Sequence, residues 1–266
     1  MIEMEEVVKL SSEREKDILR IIYDKRSVTV KELAALLYTS ESSVRRDLEH
    51  LEKQHLLKRF HGGARLEANG ISPIKVPYIM RELTYSDEKV LIAKKATSMV
   101  HDQNLIFLDS SSSAAAILPF LNGFRDITIV TNGLETLNRA LDYNFKAMCV
   151  GGTLSRSARA FYGEDAYRMA RNYFADICFI SCAALDRLGE VCDVSIEENE
   201  MRRAFMAQSN HTYLLCTSEK LGLRKFHRCC NVSELDGVIA VKTPEETAKR
   251  WSFINEALDK MIVAKI

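Results

Sequence analysis

Along the first fifty-odd positions apolar residues recur every three or four places, a rhythm that predicts short amphipathic helices. Ile18, Leu19, Ile21 and Ile22 form the apolar face of the first, opened by the capping box Ser12-Glu13-Arg14-Glu15, in which Glu15 reaches back to the Ser12 amide. Thr29-Val30-Lys31-Glu32 is a second capping box, and its helix buries Leu33, Leu36 and Leu37. Tyr38-Thr39-Ser40 is a short turn, with Ser40 as N-cap of a third helix from 41 to about 54. Val44, Leu48 and Leu51 give that helix an inward face, with Ser42, Arg46, Glu49 and Lys53 opposite and Arg45 and Asp47 at its flanks. The stretch 56–65 then predicts a strand, a glycine turn at Gly62 and Gly63, and a return strand.

From residue 68 the pattern changes. The segment 68–77 holds two of the chain's four prolines and is expected to be a linker. A helix is expected from about 87 to 100, followed by six short apolar runs at 105–108, 127–130, 147–150, 177–180, 212–215 and 237–241. Helical patterns separate most of these runs, so the fold class is α/β with a mostly parallel sheet covered by helices. A last helix starts at Thr243-Pro244-Glu245-Glu246 and carries the apolar stripe Trp251, Ile254, Leu258 and Met261, expected to pack on its own sheet, with subunit contact as the alternative.

Lys plus Arg (37) equals Asp plus Glu (37), which excludes binding nucleic acid or membrane by bulk charge but leaves room for a local basic patch. The N-terminus, with Glu3, Glu5 and Glu6, does not resemble a signal peptide, and no stretch approaches the ~20 apolar residues of a membrane helix. Seven cysteines without a CxxC spacing, several within apolar runs (Cys149, Cys178, Cys216), are expected to be buried thiols in a cytoplasmic protein.

Three short helices and a basic hairpin make a winged helix-turn-helix. The third helix is the right size for a major groove, where Ser42, Ser43, Arg45 and Arg46 face base edges or phosphates. The hairpin brings Lys58, Arg59, His61 and Arg65 with no acid among them, suiting a phosphate or the minor groove. The same fold serves in protein–protein contacts, so geometry alone leaves that reading open. His50 and His55 are expected to be solvated surface residues.

In the larger part the ends of the runs carry the chemistry. They lead into Asp109-Ser110-Ser111-Ser112-Ser113, Thr131-Asn132-Gly133, Gly151-Gly152-Thr153, Ser181-Cys182-Ala183-Ala184 and Thr217-Ser218-Glu219-Lys220. Strand carboxyl ends converge on the ligand crevice of an open α/β sheet. Hydroxyls, glycine amides, a helix N-terminus after Ser113 and one lysine suit a phosphate. A sugar-phosphate isomerase or transferase is the rival, with Asp109, Asp193, Glu198 and Lys220 as acid–base groups, but no catalytic set is assigned. His227-Arg228-Cys229-Cys230 lacks a second ligand pair, so no metal is expected, and without a P-loop, GxSxG or HExxH pattern no cofactor is expected.

Thr29-Val30-Lys31-Glu32-Leu33-Ala34, then Ser40-Glu41-Ser42-Ser43-Val44-Arg45-Arg46-Asp47-Leu48, then Leu56-Leu57-Lys58-Arg59-Phe60-His61-Gly62-Gly63-Ala64 resembles the DeoR-type bacterial repressors. Ser43 stands where that family has Thr, and Thr39 where it has Val. The second part resembles the family's sensor domain, related to the sugar-phosphate isomerase and CoA-transferase fold. Asp109 through Ser113 matches its Asp-Ser-Gly-Thr-Thr phosphate loop, Thr131-Asn132 its Thr-Asn-Ser, Gly151-Gly152 its Gly-Gly, and Gly163 the glycine opening the next helix. Ser111 replaces the loop glycine, Ser181 to Ala184 keeps neither glycine of Gly-Ala-Ser-Gly, Arg202 stands for the lysine of Glu-Ala-x-Val-Lys, and Thr217 for the aspartate of Asp-Ser-Ser-Lys.

The resemblance implies a winged helix-turn-helix domain over 10–66 (helix-turn-helix about 28–47), a linker over 67–79 and an effector-sensing α/β domain over 80–266. It implies a cytoplasmic homo-oligomeric repressor, dimer or tetramer, of sugar-metabolism genes. Operator DNA would meet Ser42, Ser43, Arg45, Arg46, Lys58, Arg59, His61 and Arg65. A phosphorylated sugar would meet Asp109, Ser110, Ser111, Ser112, Ser113, Thr131, Asn132, Gly151, Gly152 and Lys220, unless the departures have left a vestigial pocket.

Overall fold

A computed structural model describes residues 13–54, 56–65, 78–241 and 261–264, and the chain divides between Thr84 and Tyr85 into two compact units. In the first, the chain runs through α1 (Glu13–Lys25), β1 (Ser27–Thr29), α2 (Val30–Leu36), α3 (Glu41–Lys53), β2 (Lys58–Phe60), β3 (Gly63–Arg65) and α4 (Tyr78–Leu83). Ile18, Leu19, Ile22, Leu33, Val44, Leu48, Leu51 and Leu57 make one core, as the helical spacing requires. The second capping box forms as expected: Glu32 N–H donates to Thr29 Oγ1 (3.2 Å) and Thr29 N–H to Glu32 Oε2 (2.9 Å). Both β1 and β2 pair antiparallel with β3, Val28 and Arg59 each opposite Ala64, so the wing is three-stranded.

Three expectations need correction in this unit. Leu36 is exposed, because Val30, Leu33 and Leu37 form the stripe of this segment that meets the core and position 36 falls beside it. His50 is not simply solvated: its Nδ1 lies 2.6 Å from Oε1 of buried Glu15 and its Nε2 lies 2.9 Å from Gln54 Nε2. The expected partner of Glu15 in the first capping box, Ser12, lies outside the described residues, as does His55. Finally, residues 80–84 belong to this unit, because Met80 and Leu83 of α4 join its core; of the expected linker, 67–77 lies outside the described residues.

The second unit alternates strands and helices: α5 (Ser86–Thr97), β4 (Leu105–Leu108), α6 (Ser112–Ala115), β5 (Thr128–Thr131), α7 (Leu134–Asp142), β6 (Lys146–Cys149), β7 (Thr153–Ser155), β8 (Ala160–Tyr162), α8 (Glu164–Ala170), β9 (Ala175–Ser181), β10 (Ala184–Leu185), β11 (Glu190–Asp193), α9 (Ile196–Met206), β12 (Ser209–Cys216), β13 (His227–Asn231), β14 (Gly237–Val241) and β15 (Met261–Ala264). Seven strands form a sheet in the order β15-β14-β12-β9-β4-β5-β6, and every pairing is parallel. Phe107 faces one apolar cluster, where its ring stacks on Phe205 at 4.4 Å, while Ile106 and Leu108 face a second cluster on the other side. Burial on both faces is why the strands read as unbroken apolar runs.

Six of the seven strands occupy the expected runs. The seventh corrects the reading of the chain's end: Met261 lies in β15 opposite Val238, not on a helical stripe, and the helix expected from 243 lies outside the described residues. All seven cysteines are free thiols, six of them buried; Cys149 is half-buried because β6 is the sheet's edge. Burial and the nearby Asp109 carboxylate hold the Cys178 thiol well above its ordinary pKa. Among the described residues no group of His, Cys, Asp and Glu could hold a metal ion, and no helix is long and apolar enough to cross a membrane.

Candidate DNA-contact face and effector site

Within the four-residue run from Arg45 to Leu48, α3 divides its side chains by direction. Asp47 and Leu48 point inward; Asp47 takes a two-pronged contact from Arg14, Nε to Oδ2 at 2.5 Å and Nη2 to Oδ1 at 3.0 Å. Arg45 and Arg46 point outward with Ser42. Arg45 is engaged by Glu41 one turn back (2.6 Å), whereas Arg46 has no side-chain partner among the described residues. Ser40 caps the helix as expected: its Oγ accepts from Ser43 N–H (3.2 Å) and lies 2.9 and 3.0 Å from the hydroxyls of Ser42 and Ser43, which leaves Ser43 half-buried.

Lys58, Arg59, His61 and Arg65 are all exposed on the wing. Glu52 of α3 ties the wing down by accepting from Arg59 N–H at 2.8 Å. Gly62 carries φ +87 at the hairpin tip, the conformation a glycine supplies without strain. Gly63 is needed for a different reason: a Cβ there would meet the Val28 carbonyl oxygen at 2.4 Å.

A parallel sheet brings all its carboxyl ends to one edge, and the expected effector residues gather there on neighbouring strands. After β4, Asp109 Oδ1 accepts from Ser111 N–H (3.0 Å) and Oδ2 from Ser181 N–H (2.9 Å), so this carboxylate shapes the serine loop with both oxygens. Ser111 takes the family's glycine position at φ −81, where a side chain costs nothing, and its Oγ caps α6 by accepting from Ala114 N–H at 3.1 Å. The helix therefore starts at Ser112, not after Ser113. The glycine the site does need is Gly133, where a Cβ would lie 2.9 Å from Thr136 Oγ1 and 3.0 Å from Ser110 Cα.

Four polar atoms at this edge, Ser113 Oγ, Asn132 Oδ1, Thr136 Oγ1 and Glu219 Oε2, are buried without a hydrogen-bond partner in the described structure. Asn132 is held by its other groups, donating from Nδ2 to the Phe161 carbonyl (3.2 Å) and accepting at its own carbonyl from Phe161 N–H (2.8 Å). Thr131 Oγ1 accepts from Gly133 N–H at 3.0 Å, and Ser110 Oγ lies 3.4 Å from the Tyr162 hydroxyl. Gly151 and Gly152 turn the chain after β6 at φ +69 and +98. Lys220 Nζ donates to Ser181 Oγ at 2.9 Å, and Glu88 of α5 fixes the lysine's loop by accepting from Ser218 N–H (2.7 Å) and Oγ–H (2.5 Å).

Arg202 of α9 joins these loops from behind. Its Nε donates to Asp109 Oδ2 (3.0 Å), Nη1 to Asp193 Oδ2 (2.7 Å) and Asn199 Oδ1 (3.2 Å), and Nη2 to Glu198 Oε2 (2.8 Å), all in the interior. Burial alone would lower the guanidinium pKa, but Asp193, Asp109 and Glu198 outweigh it and hold the charge firmly. The three carboxylates considered for acid–base work are thus all engaged by one arginine.

Arg14, Glu52, Glu88 and Tyr162 were not found from sequence, and Arg202 was read only as standing for a family lysine, not as the centre of a buried carboxylate cluster. Glu52 meets Arg59 seven positions on, while Arg14, Glu88 and Tyr162 act through partners distant in the chain; for Arg202 the i,i+4 spacing to Glu198 was a local signal.

Residues 14–69 match the DeoR-like helix-turn-helix domain, and residues 84–241 the DeoR C terminal sensor domain. An HTH-type transcriptional regulator of Bacillus subtilis is 30% identical over 86% of this chain and 88% of its own. The glycerol-3-phosphate regulon repressor of Escherichia coli is 25% identical over 88% of this chain and 92% of its own. The lactose phosphotransferase system repressor of Staphylococcus aureus is 28% identical over 93% of this chain and 98% of its own. A ribose 5-phosphate isomerase from Methanocaldococcus jannaschii overlaps 52% of this chain and 55% of its own at 16% identity and a TM-score of 0.39, too loosely to assign anything. The relatives are regulators and repressors rather than enzymes, and with both domain types matched in order, this chain belongs to the DeoR family of helix-turn-helix transcriptional regulators.

Proposed function

We propose that this regulator represses carbohydrate-metabolism genes by binding operator DNA through its first unit, and that a phosphorylated sugar bound at the strand ends of its second unit releases it. Arg46 carries the DNA half of this reading. A guanidinium held on a helix face with no partner to compete for it is free to bridge guanine O6 and N7. Ser42, Ser43 and Arg45 border it on α3, and Lys58, Arg59, His61 and Arg65 of the wing supply the charge for flanking phosphates or a minor groove. A gel shift with the DNA upstream of the chain's own gene tests this. Arg46→Ala is expected to weaken specific binding by about 1–3 kcal/mol while leaving non-specific binding nearly unchanged. An unshifted fragment with the intact chain would defeat the DNA assignment.

Ser113 Oγ and Asn132 Oδ1 support the effector half. Burying polar atoms unpaired costs free energy, and a ligand that supplies their partners recovers it. The hydroxyls of Ser110 to Ser113 and the Lys220 ammonium suit a phosphate; the Asn132 carbonyl suits a sugar hydroxyl. Asp109 serves by holding the loop, Thr131 by holding Gly133, and Gly151 and Gly152 by letting the backbone turn close to the ligand. Two of the relatives are named for repressing a glycerol-3-phosphate regulon and a lactose phosphotransferase system, which agrees with a phosphorylated sugar. Release requires that this ligand bind better to the arrangement that does not fit DNA. A repressor reading two half-sites acts as a dimer or a tetramer. A thermal-shift screen of phosphorylated sugars is expected to yield one that raises the melting point in proportion to the logarithm of its concentration. No shift from any of them would mean the pocket has lost its ligand.

A further inference from the structure

We propose that Tyr38, in the turn between α2 and α3, is a DNA contact whose phenol hydroxyl donates to a backbone phosphate beside the groove that α3 enters. The proposal rests on the DNA reading above and adds to it a residue outside the basic set.

The local geometry makes Tyr38 an unusual choice. After Leu37 caps α2, Tyr38 turns the chain in the left-handed region at φ +50, while its own N–H reaches the Ala35 carbonyl (3.4 Å) and Thr39 N–H reaches Ala34 (3.0 Å). That position just past a helix end is the one glycine or asparagine fills without strain. A tyrosine there carries a conformational cost that burial or bonding would normally offset. Neither does. The side chain is 97% exposed, and among the described residues it makes no hydrogen bond and no ring contact. A large aromatic left in water without a partner gains nothing for the fold.

Position supplies the partner. Tyr38 stands two residues before Ser40, whose hydroxyl lies 2.9 Å from that of Ser42, so the ring projects from the turn that delivers the DNA-facing end of α3. Residues flanking a recognition helix at this end meet the sugar–phosphate backbone, and tyrosine hydroxyls are among the groups that bind its oxygens. Because the phenol is neutral, it adds a hydrogen bond without displacing a counterion.

Fluorescence anisotropy of the full chain tests this with two labelled duplexes, the upstream DNA and a shuffled duplex of equal length, across a range of salt. Tyr38→Phe is expected to weaken binding to both by the same factor, about three- to tenfold, as one lost hydrogen bond would. The salt slope should stay as in the intact protein, unlike the loss of a lysine or arginine. Tyr38→Gly should bind as weakly or more so while its melting point holds or rises, since glycine fits φ +50, which separates lost contact from lost folding. Equal binding by Tyr38→Phe and the intact chain on both duplexes would overturn the proposal, and so would a loss confined to the upstream DNA, which would mean a base contact. Failure of the intact chain to bind either duplex would instead bring down the DNA reading itself.

Discussion

Arg202→Met is expected to cost the second unit about 3–5 kcal/mol, because it leaves carboxylates buried without their counter-charge. The guanidinium meets Asp109, Asp193 and Glu198 at 2.7–3.0 Å, and all four side chains are at most 5% exposed. Methionine matches the stem's volume but cannot donate, so three carboxylates would face one another in a medium that screens poorly. Arg202→Lys should fall between, since an ammonium keeps the charge but cannot present a planar fork to carboxylates on three sides. The loss should not stay local. Asp109 also receives Ser181 N–H and Ser111 N–H, and Ser181 Oγ receives Lys220, so the strand ends of the effector site share one support. Denaturant unfolding followed by amide exchange in β4 and β9 reads the effect. A cost below 1 kcal/mol for Arg202→Met would mean that the carboxylates find other partners or take up protons without strain.

The same arginine marks where sequence stops informing. Six strands of the large sheet were legible because burial on both faces leaves an unbroken apolar run. β15 was not, because Met261 also fits the helical spacing of Trp251, Ile254 and Leu258, and two periods cannot be separated over four residues. β1, β7 and β10 are two or three residues long and have no period to read. Site residues followed the same rule. Ser110 to Ser113 and Thr131-Asn132 stood out as polar groups at the ends of apolar runs, and the sheet brought those ends together. Arg202 was legible only as the residue standing for a family lysine, since nothing local discloses that it meets Asp109, 93 positions away. Asp109 was legible as important but not in its direction: both oxygens face the protein.

In the wing, Gly63→Ala is expected to cost the first unit about 3 kcal/mol, the upper end of what overpacking usually costs. The two adjacent glycines look interchangeable in the sequence and differ in physics. Gly62, at φ +87, has nothing within 4 Å of the place a Cβ would take, so Gly62→Ala pays only for a backbone angle, about 1 kcal/mol. At Gly63 the added carbon would stand 2.4 Å from the Val28 carbonyl oxygen and 3.0 Å from Thr29 Cα. A third neighbour, Phe60 Cζ at 2.6 Å, is a side chain that can swing aside. The first two are backbone of β1, which pairs with β3 through Val28 opposite Ala64 and Thr29 opposite Gly63, so neither can move without opening the sheet. The strand would be pushed away from β1, and Arg65, paired across the sheet with Lys58, would leave its place on the wing. Gly63→Ala should therefore weaken DNA binding and speed amide exchange in β1 and β3, whereas Gly62→Ala should do little of either. If Gly62→Ala proved the more damaging of the two, the tight packing of β3 on β1 would be refuted and the turn angle would be what the wing depends on.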